Sequence, residues 1–243
     1  MKIIKLIFAT LALMPAYLGG QTAQEFFMMG NNAYKAQDYA RAKENYLESQ
    51  KAGMADSDLL FNLANTHAKL GEKSQAQLAY MKALYRNPRM REAEANLAIL
   101  AKDASLELPS KDGAASFCYE LSEYEWTIIA FVSFWLMAIF VFVPPLYFKK
   151  SAVWTFLALA CTIVMLTAIA GIYNWRTYAS TAIAMSDDTP LLVSPASNAP
   201  ITARMAEGQI AAVKKRFGDF MYVEAPSGKC GWAKRGKMLT VED

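Results

Sequence analysis

The chain has 243 residues, of which 54% are hydrophobic and 19% charged, and its formal net charge at pH 7 is +3. This length allows one large domain or two to three small ones. A charge so close to neutrality argues against nucleic acid as a partner. The three cysteines form neither a disulfide framework nor a zinc-ligand spacing, although a bridge between Cys118 and Cys230 stays possible outside the cytoplasm.

The N-terminal segment, residues 1–23, has the pattern of a signal peptide. Lys2 and Lys5 begin it, and an apolar run from Leu6 to Leu18 follows that is too short for a membrane span. Because no clear cleavage triplet follows, an uncleaved N-terminal anchor is the alternative. In both cases the lysines stay in the cytoplasm and the next segment lies outside it.

Residues 24–108 are predicted to form helical repeats. Apolar and small residues recur at helical spacing, and two stretches match at one constant offset: Gly30 with Ala64, Ala42 with Ala76, and Tyr46 with Tyr80. Small residues let antiparallel helices approach closely, and large ones fill the space between them. The pattern resembles the tetratricopeptide repeat, which implies an all-α array of two repeats and a closing helix over 91–102.

The resemblance also implies a binding surface, because such repeats bind partners on the concave face made by their first helices. The positions that line this face are Phe27, Asn31, Tyr34 and Lys35, then Phe61, Asn62, Asn65 and Lys69. Asn31 and Asn62 match the asparagines of members that hold a C-terminal carboxylate, but the basic places of those members are taken by Phe27, Glu92 and Asn96. An extended segment or a loop of a folded partner is therefore expected, and mere solvation of this face is the alternative.

Two charge-free apolar runs, 126–148 and 152–175, flank Lys149 and Lys150. At a rise of about 1.5 Å per residue, each run exceeds the roughly 30 Å hydrocarbon core, so the runs predict a two-helix transmembrane hairpin. Since lysine and arginine are retained in the cytoplasm, the turn is predicted inside and both flanking regions outside. Trp126, Tyr173 and Trp175 are expected at the membrane interface.

Two connecting segments flank the hairpin. Residues 109–125 are expected to be a linker with an acidic end, and residues 176–188 a polar or weakly helical connector.

The tail, residues 189–243, is predicted to form short antiparallel strands, because short apolar runs alternate with turns such as Glu207–Gly208 and Ser227–Gly228. The segment GDFMYVEAPSGKCGWAK, with Gly231–Trp232 near its end, resembles bacterial SH3-like domains, which implies a small all-β barrel. Trp232, Phe220 and Tyr222 are expected mainly in the core. The alternative is a binding groove edged by Phe217, Phe220, Tyr222 and Trp232, which the resemblance would assign to proteins or cell-wall peptides.

The order of the parts is more specific than any one of them. A signal, a short repeat array, a hairpin with a lysine turn and an SH3-like domain together resemble BatE, a family of the Bacteroides aerotolerance group. The resemblance implies a multi-domain protein of the bacterial inner membrane whose array and C-terminal domain are periplasmic. It also implies membrane partners with von Willebrand A domains and a MoxR-type ATPase system. A scaffold for an envelope complex is therefore expected, and a cell-wall-binding or wall-sensing module is the alternative.

An enzyme is not expected. His67 is the only histidine, and the sequence contains no nucleophile paired with a base, no P-loop and no dinucleotide fingerprint. His67 is expected to be a core or half-buried packing residue. Neither a metal nor a cofactor is expected.

Overall fold

The computed structural model describes residues 22–110, 113–147 and 152–242. The predicted signal or anchor up to residue 21 and the Lys149–Lys150 turn therefore lie outside the described residues.

The N-terminal part is an array of five helices. These helices are α1 (Ala23–Lys35), α2 (Tyr39–Lys51), α3 (Ser57–Lys69), α4 (Lys73–Arg86) and α5 (Arg91–Ala104). Side-chain oxygens of Thr22, Asp38 and Asp56 cap the first three helices by accepting hydrogen bonds from backbone N–H groups. The predicted helical repeat array is confirmed, and it ends in a single helix.

Close helix packing explains the small residues of the repeat. A Cβ atom added to Gly30 would lie 2.6 Å from the ring of Tyr46, so α1 and α2 pack at a distance that only glycine permits. Ala42, Ala64 and Ala76 are fully buried at the corresponding crossings. A side chain larger than alanine at these positions would force the helices apart.

An apolar helix pair follows the array. A 3₁₀ helix (Gly113–Tyr119) leads into α6 (Glu123–Phe142), the short α7 (Pro144–Tyr147) and α8 (Ala152–Ala179). Among the described residues, two helices are long and apolar enough to cross a membrane, with peak mean hydropathies of 2.4 and 2.3. In each helix, only 11% of the most apolar 18-residue stretch is buried, whereas the core helix of a soluble protein would be mostly buried.

The C-terminal part is one seven-stranded antiparallel sheet. Its strands are β1 (Thr181–Ala184), β2 (Thr189–Leu192), β3 (Ile201–Met205), β4 (Ile210–Phe217), β5 (Phe220–Glu224), β6 (Cys230–Lys234) and β7 (Met238–Thr240), in the order β3-β2-β6-β5-β4-β1-β7. Met221, Val223 and Ala233 face a core that also contains Leu191 and Met205. The predicted antiparallel strands are confirmed.

The segment 176–188 differs from the expected connector. Helix α8 continues to Ala179, and β1 begins only two residues later, paired with β4 and β7. All four residues of β1 are buried, so the strand shows no alternation of polar and apolar residues by which the sequence could reveal it.

The array, the helix pair and the sheet share one hydrophobic core. A single cluster of buried side chains contains Ala79 and Leu84 of the array, Trp175 and Tyr178 of α8, and Ile183 of the sheet. The three parts are therefore packed together and are not independent modules joined by flexible linkers.

Candidate functional site: the groove of the repeat array

The first helix of each repeat and the closing helix form one side of the array. A groove of about 470 Å³ lies between α1, α3 and α5, and it is lined by Tyr34, Asn65, Ala68, Lys69, Tyr80, Asn96, Ile99, Leu100 and Asp103. Three of the eight predicted contact residues, Tyr34, Asn65 and Lys69, line this groove. The sheet and α8 contact the array through α4, so they leave the groove open.

The other predicted residues lie outside the groove lining. Phe27 and Phe61 pack against the rings of Tyr46 and Tyr80, with centroids 5.9 and 6.1 Å apart, so both phenylalanines serve helix packing. Lys35 is exposed at the end of α1, whereas Asn31 and Asn62 are half-buried between the repeats.

Two equivalent hydrogen-bond networks hold the asparagines on the groove side of the array. Asn31 Oδ1 accepts from the Tyr46 hydroxyl at 2.8 Å and from Asn62 Nδ2 at 3.0 Å. One repeat later, Asn65 Oδ1 accepts from the Tyr80 hydroxyl at 2.5 Å and from Asn96 Nδ2 at 2.9 Å. Every member of the second network follows its counterpart in the first by the same offset, the length of one repeat.

The networks orient the amides of the asparagines. Because the Oδ1 atoms of Asn31 and Asn65 each accept two hydrogen bonds, their NH₂ groups point elsewhere and can donate. Asn62 and Asn96 donate from Nδ2, which leaves their carbonyl oxygens able to accept. Each network therefore combines an amide donor with an amide acceptor, and this combination suits the C=O and N–H groups of an extended peptide.

The closing helix supplies groove residues beyond the eight predicted contact residues. Asn96, Ile99 and Asp103 of α5 line the groove, and Ile99 is 60% exposed. Asn96 follows Asn62 by one repeat length, and this match is the signal that could have identified α5 as the third contributor. The groove thus carries one lysine, one aspartate and an exposed apolar side chain.

A partly buried polar cluster joins the two repeats. Glu72 accepts a hydrogen bond from Lys43 of the first repeat at 2.6 Å, and its other oxygen lies 2.5 Å from His67 Nδ1. Burial lowers the pKa of His67, because loss of solvent outweighs the opposite effect of the Glu72 carboxylate. Burial acts against the charged form of Glu72, but hydrogen bonds from Lys43 and His67 nevertheless hold the pKa of this carboxyl below its usual range.

Acidification should destabilise the fold through His67. A histidine whose pKa in the folded protein lies below its ordinary 6.5 binds a proton more readily in the unfolded chain. The free energy of unfolding should therefore fall as the pH drops below about 6.5, before most carboxylates titrate near about pH 4. Chemical denaturation at about pH 7 and pH 5.5 measures the difference, which should shrink in His67→Phe. The same pH dependence in wild type and variant would contradict this assignment, since the chain has no other histidine.

The sheet places the second set of predicted residues differently from expectation. Phe220, Tyr222 and Trp232 were expected mainly in the core, but they are half-buried on the face opposite Met221 and Val223. The alternate residues Met221 and Val223 fill the core instead. The rings of Tyr222 and Trp232 pack on each other, with their centroids 5.5 Å apart. Phe217 lies on the same face and is 65% exposed.

Two tryptophans of the helix pair also differ from expectation. Trp126 and Trp175 were predicted at a lipid interface, but both are buried within the protein. The Nε1 atom of Trp126 donates to the Cys118 carbonyl oxygen at 2.8 Å, and that of Trp175 donates to the Leu121 carbonyl oxygen at 2.7 Å. Backbone carbonyls thus accept the hydrogen bonds that lipid headgroups would accept at a membrane interface. Tyr173 is exposed, and its position at a membrane interface stays a prediction.

The array is attached to the end of the helix pair through α4 and the loop after it. The Tyr85 hydroxyl donates to Glu123 at 2.5 Å, and Arg89 pairs with Glu125 at 3.0 Å. Burial, and then the Glu123 carboxylate, raise the pKa of Tyr85 to about 12, so its hydroxyl stays protonated as a donor. Cys118 is buried at this junction and Cys230 lies in β6, and the two do not form a disulfide.

These features define a class of protein: a tetratricopeptide-like repeat array followed by a C-terminal antiparallel sheet, with two long apolar helices between them. No family model matches the chain. The chain is similar to the photosystem I assembly protein Ycf3 of Cuscuta gronovii, with 30% identity over 93 residues, which are 37% of this chain and 55% of that protein. The same protein of Cuscuta obtusiflora matches to the same extent. The chain thus spans little more than half the length of these curated relatives.

Proposed function

We propose that the protein is a non-enzymatic scaffold of the bacterial inner membrane, similar to BatE, that assembles an envelope complex. One observation carries this proposal: the array is fixed to the apolar helix pair by buried contacts, while its groove stays open to a partner. In this proposal, the helix pair anchors the protein, and the array and the SH3-like sheet lie in the periplasm.

The groove chemistry supports a protein segment in extended conformation as the partner. The amide pairs can bond its backbone, Ile99 offers apolar contact, and Lys69 and Asp103 can select charged side chains. Membrane proteins with von Willebrand A domains, which act with a MoxR-type ATPase, are the partners that the BatE resemblance implies.

Co-purification in a mild detergent tests the scaffold role. The groove variant Lys69→Glu with Ile99→Asp changes two exposed side chains and leaves the asparagine networks in place. The control variant Lys102→Glu with Ala98→Asp changes exposed positions of α5 that do not line the groove. Partners identified by mass should be recovered at least about tenfold less with the groove variant, corresponding to about 1.4 kcal/mol of binding free energy, and fully with the control.

Equal recovery of partners with both variants would reject the groove as the binding site. Recovery of cell-wall fragments alone, without membrane proteins, would reject the scaffold role in favour of a wall-binding module.

The proposed orientation makes a separate prediction. Reporters of location fused after Asp112 and after Asp243 should both report the periplasm, because the lysines between the two spans are retained in the cytoplasm. A third fusion, after Lys150, should report the cytoplasm and serves as the control. A cytoplasmic signal from either of the first two fusions would contradict the orientation.

A further inference from the structure

One face of strands β4, β5 and β6 carries aromatic rings between lysines. Across these strands Phe217 pairs with Phe220, Lys215 with Tyr222, Tyr222 with Trp232, and Phe220 with Lys234. Directly opposed residues of antiparallel strands project to the same side of a sheet. Lys215, Phe217, Phe220, Tyr222, Trp232 and Lys234 therefore share one side, which we call the aromatic face.

The aromatic face is accessible and positively charged. Phe217 is 65% exposed, Lys215 and Lys234 are exposed, and the three other rings are half-buried. Glu224 lies on the same side of β5, but its negative charge is balanced by Lys214, whose Nζ lies 3.4 Å from the Glu224 carboxylate. The opposite side of the same strands is the buried core of the sheet. An exposed patch of large rings with this charge is more typical of a binding surface than of a solvated one.

The spacing of the lysines indicates the kind of ligand. Lys215 and Lys234 lie two strands apart and are offset by two residues along the strands. With about 4.8 Å between strands and about 3.3 Å per residue, their Cα atoms are about 12 Å apart. Carboxylates about four residues apart in an extended segment span the same distance. Tyr222 and Phe220 of the middle strand β5 lie between the two lysines.

We propose that the aromatic face binds an acidic peptide segment of a protein partner. Two carboxylates of the segment pair with Lys215 and Lys234, and a large apolar side chain between them covers Tyr222 and Phe220. A ligand without large apolar side chains would leave Phe217 and Phe220 in water, so the rings favour a protein segment over other anions. This proposal uses neither the groove of the array nor the membrane position.

Binding of labelled peptides to the full-length protein in a non-ionic detergent tests the proposal. The probe is a fluorescent peptide of about nine residues, with two glutamates about four positions apart and a leucine between them. Its control has glutamines in place of the glutamates. We expect micromolar affinity for the probe, at least about tenfold weaker binding of the control, and weaker binding at high salt.

A matched pair of variants separates the aromatic face from general charge. Lys234→Glu should weaken binding of the probe at least about tenfold. Lys229→Glu makes the same change of charge in the turn before β6, where the lysine contacts the Arg204 carbonyl, and it should leave binding nearly unchanged. Equal losses in both variants, or equal binding of probe and control peptide, would overturn the proposal.

Two further ligands distinguish the source of the negative charge. Purified cell wall, or vesicles of anionic phospholipid, that bind as well as the probe and lose binding in Lys234→Glu would overturn the assignment to a protein partner. The groove variant Lys69→Glu with Ile99→Asp should bind the probe like wild type, so failure of the scaffold proposal and failure of this proposal give different results.

Discussion

Replacing Trp175 by alanine should lower the free energy of unfolding by about 3–5 kcal/mol. Trp175 is fully buried, and its ring lies 5.2–5.7 Å from the rings of Tyr119, Tyr178 and Tyr85. Because Tyr85 belongs to the array, the cavity left by Trp175→Ala would remove contacts between the array and the helix pair. Denaturation in detergent, followed by circular dichroism, measures the loss.

Trp135→Ala is the control for this prediction. Trp135 is 53% exposed on α6, so its removal should cost much less than removal of a buried ring. Limited proteolysis adds a second readout, since Trp175→Ala should expose the segment 105–122 between the array and α6. Equal losses of stability in the two variants would show that the buried contacts of Trp175 do not stabilise the junction between the array and the helix pair.

Replacing Gly171 by leucine should disrupt the packing of α6 on α8. A Cβ atom at Gly171 would lie 2.6 Å from the indole of Trp126, and a leucine would displace this ring from its hydrogen bond to the Cys118 carbonyl. Overpacking of this kind costs about 1–3 kcal/mol, to which loss of the buried hydrogen bond adds about 1–3 kcal/mol. Resistance to unfolding by an anionic detergent measures the effect.

Ala170→Leu provides the matched control, because Ala170 is the neighbouring residue of α8 and is exposed. The added side chain points away from the protein core there, so the stability should change little. A destabilisation by Ala170→Leu as large as that by Gly171→Leu would indicate that helix volume in general, and not the contact with Trp126, is responsible.

Local periodicity was sufficient to predict the array and the strands of the tail. The constant offset between the repeats placed small residues at the helix crossings, and Gly30 lies against Tyr46 as the pattern requires. Such features are visible in the sequence because both partners of each contact belong to the same short repeat.

The placement of Trp126, Trp175 and Trp232 could not be predicted in the same way. A tryptophan at the end of an apolar run has the same local pattern whether it faces lipid headgroups or a second domain. Trp175 is buried because Tyr85, far away in the sequence, packs on it. In β5, large and mainly apolar pairs alternate, Phe220 and Tyr222 with Met221 and Val223, so the pattern predicted a strand but not which side faces the core. Trp232 of β6 packs on Tyr222 and therefore lies on the same side.

The same uncertainty affected the candidate site. The repeat pattern identified Tyr34, Asn65 and Lys69, which line the groove, but it could not show that Phe27 and Phe61 pack on tyrosines instead. The contribution of α5 could have been predicted from the third, partial repeat, because Asn96 follows Asn62 by one repeat length.

The shared core also has a consequence for synthesis on the ribosome. Tyr178 contacts the carbonyl of Met81, and these residues are 97 positions apart in the chain. At about 5–20 residues per second, translation from Met81 to Tyr178 takes roughly 5–20 s. Throughout that interval the surface of α4 that later meets α8 has no partner from its own chain. The nascent array therefore exposes this apolar surface until the second apolar helix emerges, and exposed apolar surface of this kind promotes aggregation.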